Sequence, residues 1–418
     1  MASILPFRGI RPAADKVHLV ASRSVDNYSR GDLNEKLRGN PYTFLHVINP
    51  DFSDGQKTKP GSPERLQKVK STWEKFYAEG VFEQDHHPAY YVYRQFKQGN
   101  TYTGIIACTG IDDYFNGIIK IHEQTLTERE NKLKDYLDVC DFNAEPVLFC
   151  YPDDAEINTL MMLATERRAD FDFTTTDRVR HTLWVVDQPE QVKHLRERFA
   201  NIPAVYIADG HHRSASSALL GKERREKAGQ YSGKEAWNYY LGVFFPESQL
   251  RIYDFNRVVK DLNGLTESEF LARLENDFEI RKAGTDIVQP EHKHVFSMYL
   301  DKNWYMLHLR EGRTNEQNPV ESLDAYLLTK YILDPILGVK DLKVDKRIGF
   351  VSGIKGPEEL KNQVDNWKFK VAFGLYPVAM QELKRIADTG NIMPPKTTWV
   401  EPKMRSGLVM YSLNEHHQ

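Results

Sequence analysis

The sequence predicts a mixed α/β fold of the α+β kind. Segments typical of strands and of helices alternate along the whole chain of 418 residues. Hydrophobic residues make up 40% of the chain and charged residues 28%, which is the balance of a folded, water-soluble protein. A chain of this length can bury a substantial core. The sequence contains no internal repeat, so we do not expect a repeat architecture.

Two kinds of signal define the elements of the first 260 residues. Pro63 and Gly80 delimit a helix over 63–79, because proline is common in the first helical turn and glycine just after the last. Asp154 precedes another helix, whose positive dipole end favours an acid. Hydrophobic patterning predicts the strands 103–110, 145–151, 181–187, 204–209 and 238–245, and the helices 126–139, 189–200 and 213–228.

The later part of the chain has a different pattern. Thr266 and Glu269 form a predicted capping box that begins the helix 267–276. Residues 293–309 predict a β-hairpin that turns at 301–303. Three more helices are predicted over 320–336, 357–366 and 377–388.

These elements divide the chain into two predicted regions. The first is an N-terminal α/β region over 1–260 and the second is a C-terminal α+β region over 261–418, with the polar stretch 311–319 as the best linker candidate. We expect the last segment to pack back on the functional site, so one composite unit is an alternative to two domains.

Charge and hydropathy exclude several classes of function. The net charge is −3, from 56 basic and 59 acidic residues that are mixed along the chain, so nucleic acid is not an expected partner. No apolar run approaches the roughly 18–20 residues that a membrane span needs. Pro6 and Arg8 interrupt the apolar stretch that a signal peptide requires. We therefore expect a cytoplasmic protein, whose three cysteines are buried thiols.

The strongest motif is Asp-Gly-His-His-Arg at 209–213, between a predicted strand and a predicted helix. The N–H groups at such a helix N-terminus bind anions, and Gly210 permits the tight turn. Arg213 suits bidentate phosphate binding, while His211 and His212 can donate hydrogen bonds or transfer protons. Asp209 suits a general base, and Ser214 adds a hydroxyl group.

Two structural interpretations of this motif are open. It is also what an Asp-capped helix with exposed histidines would look like. A zinc site is disfavoured, because adjacent histidines point in different directions and the chain has no Cys/His spacing that completes a ligand set.

Two other segments carry candidate residues. His122 and Glu123 either take part in catalysis or begin a helix, where an acid is favoured in the first turn. Lys396, Thr397, Thr398 and Lys403 lie in a proline-rich segment, 393–408, that either meets an anionic ligand or forms a structural strand at the core. The sequence lacks a P-loop and a dinucleotide-binding GxGxxG motif.

The chain resembles the domain-of-unknown-function 1015 family over nearly its whole length. The resemblance lies in five segments: 6–12, 40–47, 122–125, 207–213 and 393–408. In the segment 22–28 the family usually has Pro-Pro-Tyr-Asp, of which this chain keeps Asp26 but not the prolines or the adjacent tyrosine. After Arg213 the family often has Tyr-Glu-Thr, whereas this chain has Ser-Ala-Ser at 214–216.

The motif at 209–213 is similar to the phosphate-binding turn of the ParB/sulfiredoxin-like superfamily, which includes free-serine kinases. This resemblance implies a ParB/sulfiredoxin-like phosphate-binding core within a larger composite fold. Carried over by position, it implies that residues 209–213 form a phosphate cradle. Together with the other candidate segments, we predict these catalytic residues: Asp209, His212, Glu123 and His122. We predict these phosphate or substrate ligands: Gly210, His211, Arg213, Ser214, Asp26, Arg23, Lys396, Thr397, Thr398 and Lys403.

The expected function is therefore small-molecule phosphoryl transfer on free serine or phosphoserine, in the direction of a kinase or of a phosphatase. Mg²⁺ is the expected cofactor, with ATP or ADP as nucleotide. The alternative is a non-catalytic nucleotide- or metabolite-binding protein, or a ParB-like regulator. The sequence does not define the oligomeric state or the metal ligands.

Overall fold

The computed structural model describes residues 1–366 and 368–414, apart from the side chains of Asp26, Ser53 and Asp54. The chain forms two compact units. Unit 1 contains Met1–Lys120, Thr125–Leu250 and the segment from Pro402 onward, and unit 2 contains Ile121–Gln124 and Arg251–Glu401. Both units combine helices with strands, which confirms the predicted mixed α/β class. In the described part of the chain, no helix has both the length and the apolar character needed to cross a membrane.

Unit 1 is built on a mixed sheet, of which the described residues form nine strands. Eight strands follow in spatial order: Ile119–Lys120, Val205–Asp209, Val147–Tyr151, Tyr239–Pro246, Asn100–Gly110, Tyr90–Lys97, Arg180–Val186 and Phe171–Thr174. The ninth, Ile4–Leu5, pairs with Asn100–Gly110. Two smaller antiparallel pairs are formed by Ile10–Pro12 with Phe82–Gln84 and by Phe142–Asn143 with Tyr411–Ser412.

The strands at the middle of this sheet are continuous apolar runs. Every residue of Val147–Tyr151 is buried, and so are all residues of Tyr239–Pro246 after the first. Such runs are typical of strands that are covered on both faces. Their aromatic side chains stack, with the rings of Phe149 and Phe244 4.9 Å apart and nearly parallel. This core fixes the strand that leads into the motif at 209–213.

The helices of unit 1 cover this sheet and a second apolar cluster around Trp73. The α-helices are Val17–Val20, Arg30–Gly39, Leu45–Ile48, Asp51–Asp54, Pro63–Ala78, Ile111–Phe115, Thr127–Cys140, Ala155–Ala164, Pro189–Phe199 and His211–Ala228. Short 3₁₀ helices are Val25–Asn27, Ala236–Asn238 and Glu247–Gln249.

Unit 2 is built on an antiparallel sheet with its own core. Its strands follow in spatial order: Phe278–Gly284, Asn303–Leu309, Val295–Leu300, Val371–Gly374, Arg251–Val259 and Ile348–Ser352, with Thr398–Glu401 paired to the start of Arg251–Val259. Its helices are Glu267–Leu274, Asp324–Leu328, Pro357–Asp365 and Met380–Asp388, with the π-helical turn Thr329–Leu333 and the 3₁₀ turn Gly353–Lys355.

The predicted elements of unit 2 are confirmed with one exception. The capping box of Thr266 and Glu269 is present, and the hairpin turns at Asp301 and Lys302, which both have positive φ. The predicted helix 320–336 is wrong in its extent. The Asn318 side chain accepts hydrogen bonds from the N–H groups of residues 320 and 321, which delays the helix to Asp324–Leu328.

Candidate functional site

A strand-to-helix turn in unit 1 forms the centre of the candidate site. The strand Val205–Asp209 ends in Asp209, and Gly210 is the N-cap of the helix His211–Ala228. Gly210 has φ +103°, a left-handed conformation that favours glycine. A glycine N-cap has no side chain to accept hydrogen bonds from the first turn, so the turn presents backbone N–H groups as an anion-binding helix N-terminus does. The helix begins two residues earlier than predicted, so both histidines lie in its first turn.

Arg213 folds back over this turn. Its Nη2 atom lies 3.6 Å from Oδ2 of Asp209, and its Nη1 atom donates to Oε1 of Glu145. A Cβ atom at Gly210 would lie 2.7 Å from both Nε and Nη2 of Arg213, so only glycine leaves room for this side-chain position. Burial, together with the nearby charge of Arg129, lowers the pKa of Arg213 to about 10. The guanidinium group is therefore still charged at neutral pH.

A second cation reaches the turn from the segment that begins at Pro402. The Nζ atom of Lys403 lies 3.5 Å from Oδ2 of Asp209, and its backbone carbonyl accepts a hydrogen bond of 3.0 Å from Gln95. Three residues later, the Ser406 hydroxyl donates to Oε2 of Glu145 at 3.0 Å. Ser406 also pairs through its backbone with Ser22. Two side-chain contacts therefore connect this segment with the turn and with Glu145.

The two histidines have different surroundings. His211 is buried, with 3% of its surface exposed. His212 is half-buried, and its Nε2 atom accepts a hydrogen bond of 3.1 Å from the N–H group of Leu126, the N-cap residue of the helix Thr127–Cys140. A proton on Nε2 would break this bond, so the arrangement favours the neutral imidazole with its proton on Nδ1.

Ser214 was predicted as a ligand, and the structure corrects this prediction. Its hydroxyl has no exposure and forms a hydrogen bond of 2.7 Å with the Tyr240 hydroxyl inside unit 1. The side chain faces the interior of unit 1, as its contact with the buried Tyr240 shows. The hydroxyl therefore stabilises the first turn instead of facing a ligand.

The remaining predicted residue of unit 1 with a described side chain is Arg23. Its guanidinium group lies 4.6 Å from the centre of the Tyr28 ring. Asp26 lies in the short helix Val25–Asn27, and its side chain is outside the described part of the structure.

Five predicted residues belong to unit 2. His122 and Glu123 lie in Ile121–Gln124, which is neither helix nor strand, so the interpretation that they begin a helix is wrong. The His122 carbonyl accepts a hydrogen bond of 2.8 Å from the Met393 N–H group.

The other three unit 2 residues belong to the proline-rich segment. Lys396 is exposed, and its Nζ atom lies 5.5 Å from the centre of the Phe255 ring. The buried Thr397 hydroxyl donates to the Pro394 carbonyl at 2.7 Å. Thr398 begins the strand Thr398–Glu401, as the structural interpretation of this segment expected.

Glu145 and Arg129 are the site residues that sequence reasoning missed. Glu145 accepts hydrogen bonds from both Arg213 and Ser406, and the charge of Arg129 acts on Arg213. Neither residue belongs to a recognisable motif, because Glu145 lies in a loop before a strand and Arg129 on a charged helix. The difference from the family sequence at 214–216 did not indicate Glu145 or Arg129 either.

The fold and the turn define a mixed α/β protein in which cations surround a glycine-capped helix N-terminus. The family model described as protein of unknown function (DUF1015) matches residues 4–326. The chain belongs to this family, as its sequence motifs predicted. No curated protein matches the chain.

Several solved structures are similar to this chain at low sequence identity. A free serine kinase in complex with AMP is 12% identical, with a TM-score of 0.36 over 72% of this chain and 88% of that one. C-terminally truncated SbnI from Staphylococcus aureus is 12% identical, with a TM-score of 0.39 over 74% and 87% of the two chains. A conserved hypothetical protein from Pyrococcus furiosus is 13% identical, with a TM-score of 0.34 over 74% and 95%.

Proposed function

We propose that this protein is a phosphoryl-transfer enzyme that acts on free serine or phosphoserine. The observation that carries the proposal is the position of Arg213, folded over the glycine-capped N-terminus of its own helix. Backbone N–H groups, the helix dipole and a guanidinium group then converge on one place, which is the arrangement that binds phosphate in many proteins. Serine as substrate comes from the resemblance of the motif at 209–213 to free-serine kinases.

Charge at the turn supports this proposal. Arg213 and Lys403 both contact the Asp209 carboxylate, and Arg129 adds a third positive charge near Arg213. Two carboxylates, Asp209 and Glu145, balance these cations. A phosphate group that enters the turn competes with these carboxylates for the cations. Phosphoryl transfer is accelerated mainly by such positioning and charge stabilisation, with little covalent work by the protein.

Asp209 is the proposed general base of the kinase direction. The serine hydroxyl oxygen attacks the terminal phosphorus of the nucleotide, the bond from that phosphorus to the leaving phosphate oxygen breaks, and the hydroxyl proton passes to the carboxylate. In the phosphatase direction the same carboxylate takes a proton from the attacking water, the bond from phosphorus to the serine oxygen breaks, and that proton then passes to the departing serine oxygen. Its side chain is 43% exposed, so substrate and water can reach it.

Mg²⁺ is the proposed cofactor, and Asp209 fits it. Mg²⁺ prefers oxygen ligands and is commonly held by one or two carboxylates together with substrate phosphates. An exposed carboxylate beside the proposed phosphate position provides such a ligand. When bound, the metal supplies charge neutralisation for the phosphate oxygens. ATP or ADP is the proposed nucleotide. The site residues that we predict in unit 2 remain part of the proposal: His122, Glu123, Lys396, Thr397 and Thr398.

A purified-protein assay tests this proposal. The full chain is incubated with Mg²⁺ and either serine plus ATP, serine plus ADP, or phosphoserine alone, and phosphoserine and inorganic phosphate are measured. We expect turnover in at least one mixture and its loss in Asp209→Ala and Arg213→Ala. Asp172→Ala and Arg180→Ala remove an exposed ion pair of unit 1 and serve as matched controls. Unchanged rates in the two site variants contradict the proposal, and binding without turnover favours the non-catalytic alternative.

A further inference from the structure

A row of hydrogen-bonded side chains in unit 1 connects Tyr93 with Arg405. The Tyr93 hydroxyl and Nδ1 of His181 form a hydrogen bond of 2.7 Å, and Nε2 of His181 lies 3.3 Å from the Thr175 hydroxyl. Thr175 donates to Asp177 at 2.6 Å. Asp177 accepts two hydrogen bonds from Nη2 of Arg405, at 2.8 and 2.9 Å. None of these five residues was predicted as a site residue.

Three of these polar side chains are unusually well buried, whereas the Asp177 side chain is 31% exposed. His181 has no exposure, Tyr93 has 1% and Arg405 has 6%. Burial alone would raise the pKa of Asp177, but the Thr175 hydroxyl and the Arg405 guanidinium lower it to about 2. The buried guanidinium of Arg405 thus has an ionised partner at any physiological pH. Because a buried charge without its partner is costly, this pair fixes Arg405 in place.

Arg405 lies between two residues that reach the candidate site. Lys403, two positions before it, places its amine 3.5 Å from Asp209. Ser406, the next residue, donates to Glu145, which in turn accepts from Arg213. The segment around these residues is neither helix nor strand, so no ladder of backbone hydrogen bonds holds it over its whole length. Besides the backbone bridge between Ser406 and Ser22, its position depends on anchoring side chains.

We propose that Asp177 and Arg405 are positioning residues for the anion-binding turn. The loop between the strands Phe171–Thr174 and Arg180–Val186 holds Arg405, and Arg405 keeps the Lys403 amine at Asp209 and the Ser406 hydroxyl at Glu145. The ligand that this arrangement receives is a phosphate monoester dianion, which matches the paired cations Lys403 and Arg213. This inference rests on the function proposed above for the same turn.

Chemical labelling of Lys403 tests the positioning role without any substrate. The full-length protein is acetylated with a limiting amount of acetic anhydride, and the rate at Lys403 is followed by mass spectrometry. The Lys403 side chain is only 31% exposed while it lies against Asp209, so its release gives the reagent easier access and increases the rate. We expect several-fold faster labelling of Lys403 in Asp177→Asn and in Arg405→Gln. The double variant should react no faster than either single variant, because both changes break one contact.

Controls and a conservative variant make this labelling test decisive. Asp172→Asn breaks an exposed ion pair on the same hairpin and should leave the acetylation rate of Lys403 unchanged. If Asp177→Asn does not fold, Arg405→Lys keeps the buried charge but loses the planar guanidinium, and it should give an intermediate rate. Labelling of Lys403 at the original rate in folded variants overturns the inference.

A binding measurement separates this inference from the proposed function. The dissociation constant of phosphoserine is measured by calorimetry for the same variants and for Arg213→Ala. We expect weaker binding in Asp177→Asn, with affinity partly restored in Asp177→Glu. If Arg213→Ala binds phosphoserine as tightly as the original protein, the proposed function fails, while the labelling rates still decide the positioning role. If Lys403 is released but phosphoserine affinity is unchanged, the residues are structural and the inference is wrong.

Discussion

The Nζ atom of Lys403 lies 3.5 Å from Oδ2 of Asp209, although 194 positions separate the two residues in the chain. Arg213 approaches the same carboxylate oxygen to 3.6 Å. Asp209 is therefore placed between two cations. A phosphate dianion that enters the turn attracts both cations, so we expect ligand binding to free this carboxylate for the substrate hydroxyl.

Lys403→Gln should weaken anion binding. A charge-assisted hydrogen bond to phosphate contributes about 1.5–3 kcal/mol, and partial exposure of this side chain favours the lower end, so we expect about a tenfold loss of affinity. Titration calorimetry with phosphoserine measures it. Lys227→Gln, at the other end of the helix His211–Ala228, is the matched control because Lys227 is 66% exposed. Equal affinities of the two variants would count against a role for Lys403.

Gly210→Ala should destabilise unit 1 more than an ordinary glycine substitution. The left-handed conformation alone costs alanine about 1–2 kcal/mol. The added Cβ atom also displaces Arg213, so we expect a larger loss in the free energy of unfolding by urea. Gly80→Ala is the control, since Gly80 has φ +66° and open space around it. In an Arg213→Ala background the excess cost of Gly210→Ala should disappear, and its persistence would refute the steric explanation.

His181 should make unit 1 sensitive to acid. Burial, followed by the charge of Arg405, lowers the pKa of His181 to about 3. In the unfolded chain His181 binds a proton below about pH 6.5, whereas in the folded state it binds one only below about pH 3. Stability should therefore fall as pH decreases through this range, by about 1.4 kcal/mol per pH unit.

The variant His181→Gln tests this acid sensitivity, because a glutamine amide does not titrate and can still form a hydrogen bond with the Tyr93 hydroxyl. Urea unfolding from pH 7 to pH 4 should show a shallower loss of stability than in the original protein. His194→Gln changes an exposed histidine on the helix Pro189–Phe199 and should keep the original slope. Parallel slopes for all three proteins would contradict the assignment.

Asp324 should make unit 2 less stable as pH rises, whereas His181 makes unit 1 less stable as pH falls. Burial raises the pKa of Asp324 to about 7, although the His294 N–H group donates to it at 2.9 Å. The folded state keeps this proton above pH 4 while the unfolded chain loses it, so stability contributed by the neutral acid is lost as pH rises from about 4 to 7.

Asp324→Asn should remove this loss and stabilise unit 2 at neutral pH. Hydrogen exchange of the buried strand Val295–Leu300 measures the change, with slower exchange in the variant at pH 7.5 and little difference at pH 4.5. Asp286→Asn, at an exposed position of the same unit, should alter neither value. Faster exchange in Asp324→Asn at pH 7.5 would show that the ionised carboxylate is the stabilising form.

Local signals in the sequence were sufficient to predict many of the helices and strands. The helix Pro63–Ala78 and the strand Val205–Asp209 lie within two residues of their predicted bounds, because proline, glycine and apolar runs act within a few positions. The strand Tyr90–Lys97 was not predicted. Its aromatic and β-branched residues at 90–93 are all buried, so they lack the alternation that distinguishes a strand from a buried helix.

The candidate site was only partly predictable for a related reason. Asp209, Gly210 and Arg213 form a contiguous motif, and their contacts arise within one helical turn. Glu145 joins Arg213 through a pairing of strands that no local pattern encodes. Asp177 joins Arg405 across 228 positions, so its role depends on the folded hairpin and not on its neighbours in sequence.

The segment from Pro402 onward belongs to unit 1, whereas the 151 residues before it, Arg251–Glu401, belong to unit 2. A ribosome that adds about 5–20 residues per second needs roughly 8–30 s to synthesise this insertion. During that interval the turn at Gly210 has already been synthesised, but Lys403 and Ser406, which contact Asp209 and Glu145, have not. Unit 1 can therefore complete its turn only after the segment from Pro402 onward has been synthesised. Premature termination within Arg251–Glu401 would release a protein whose turn lacks the Lys403 amine.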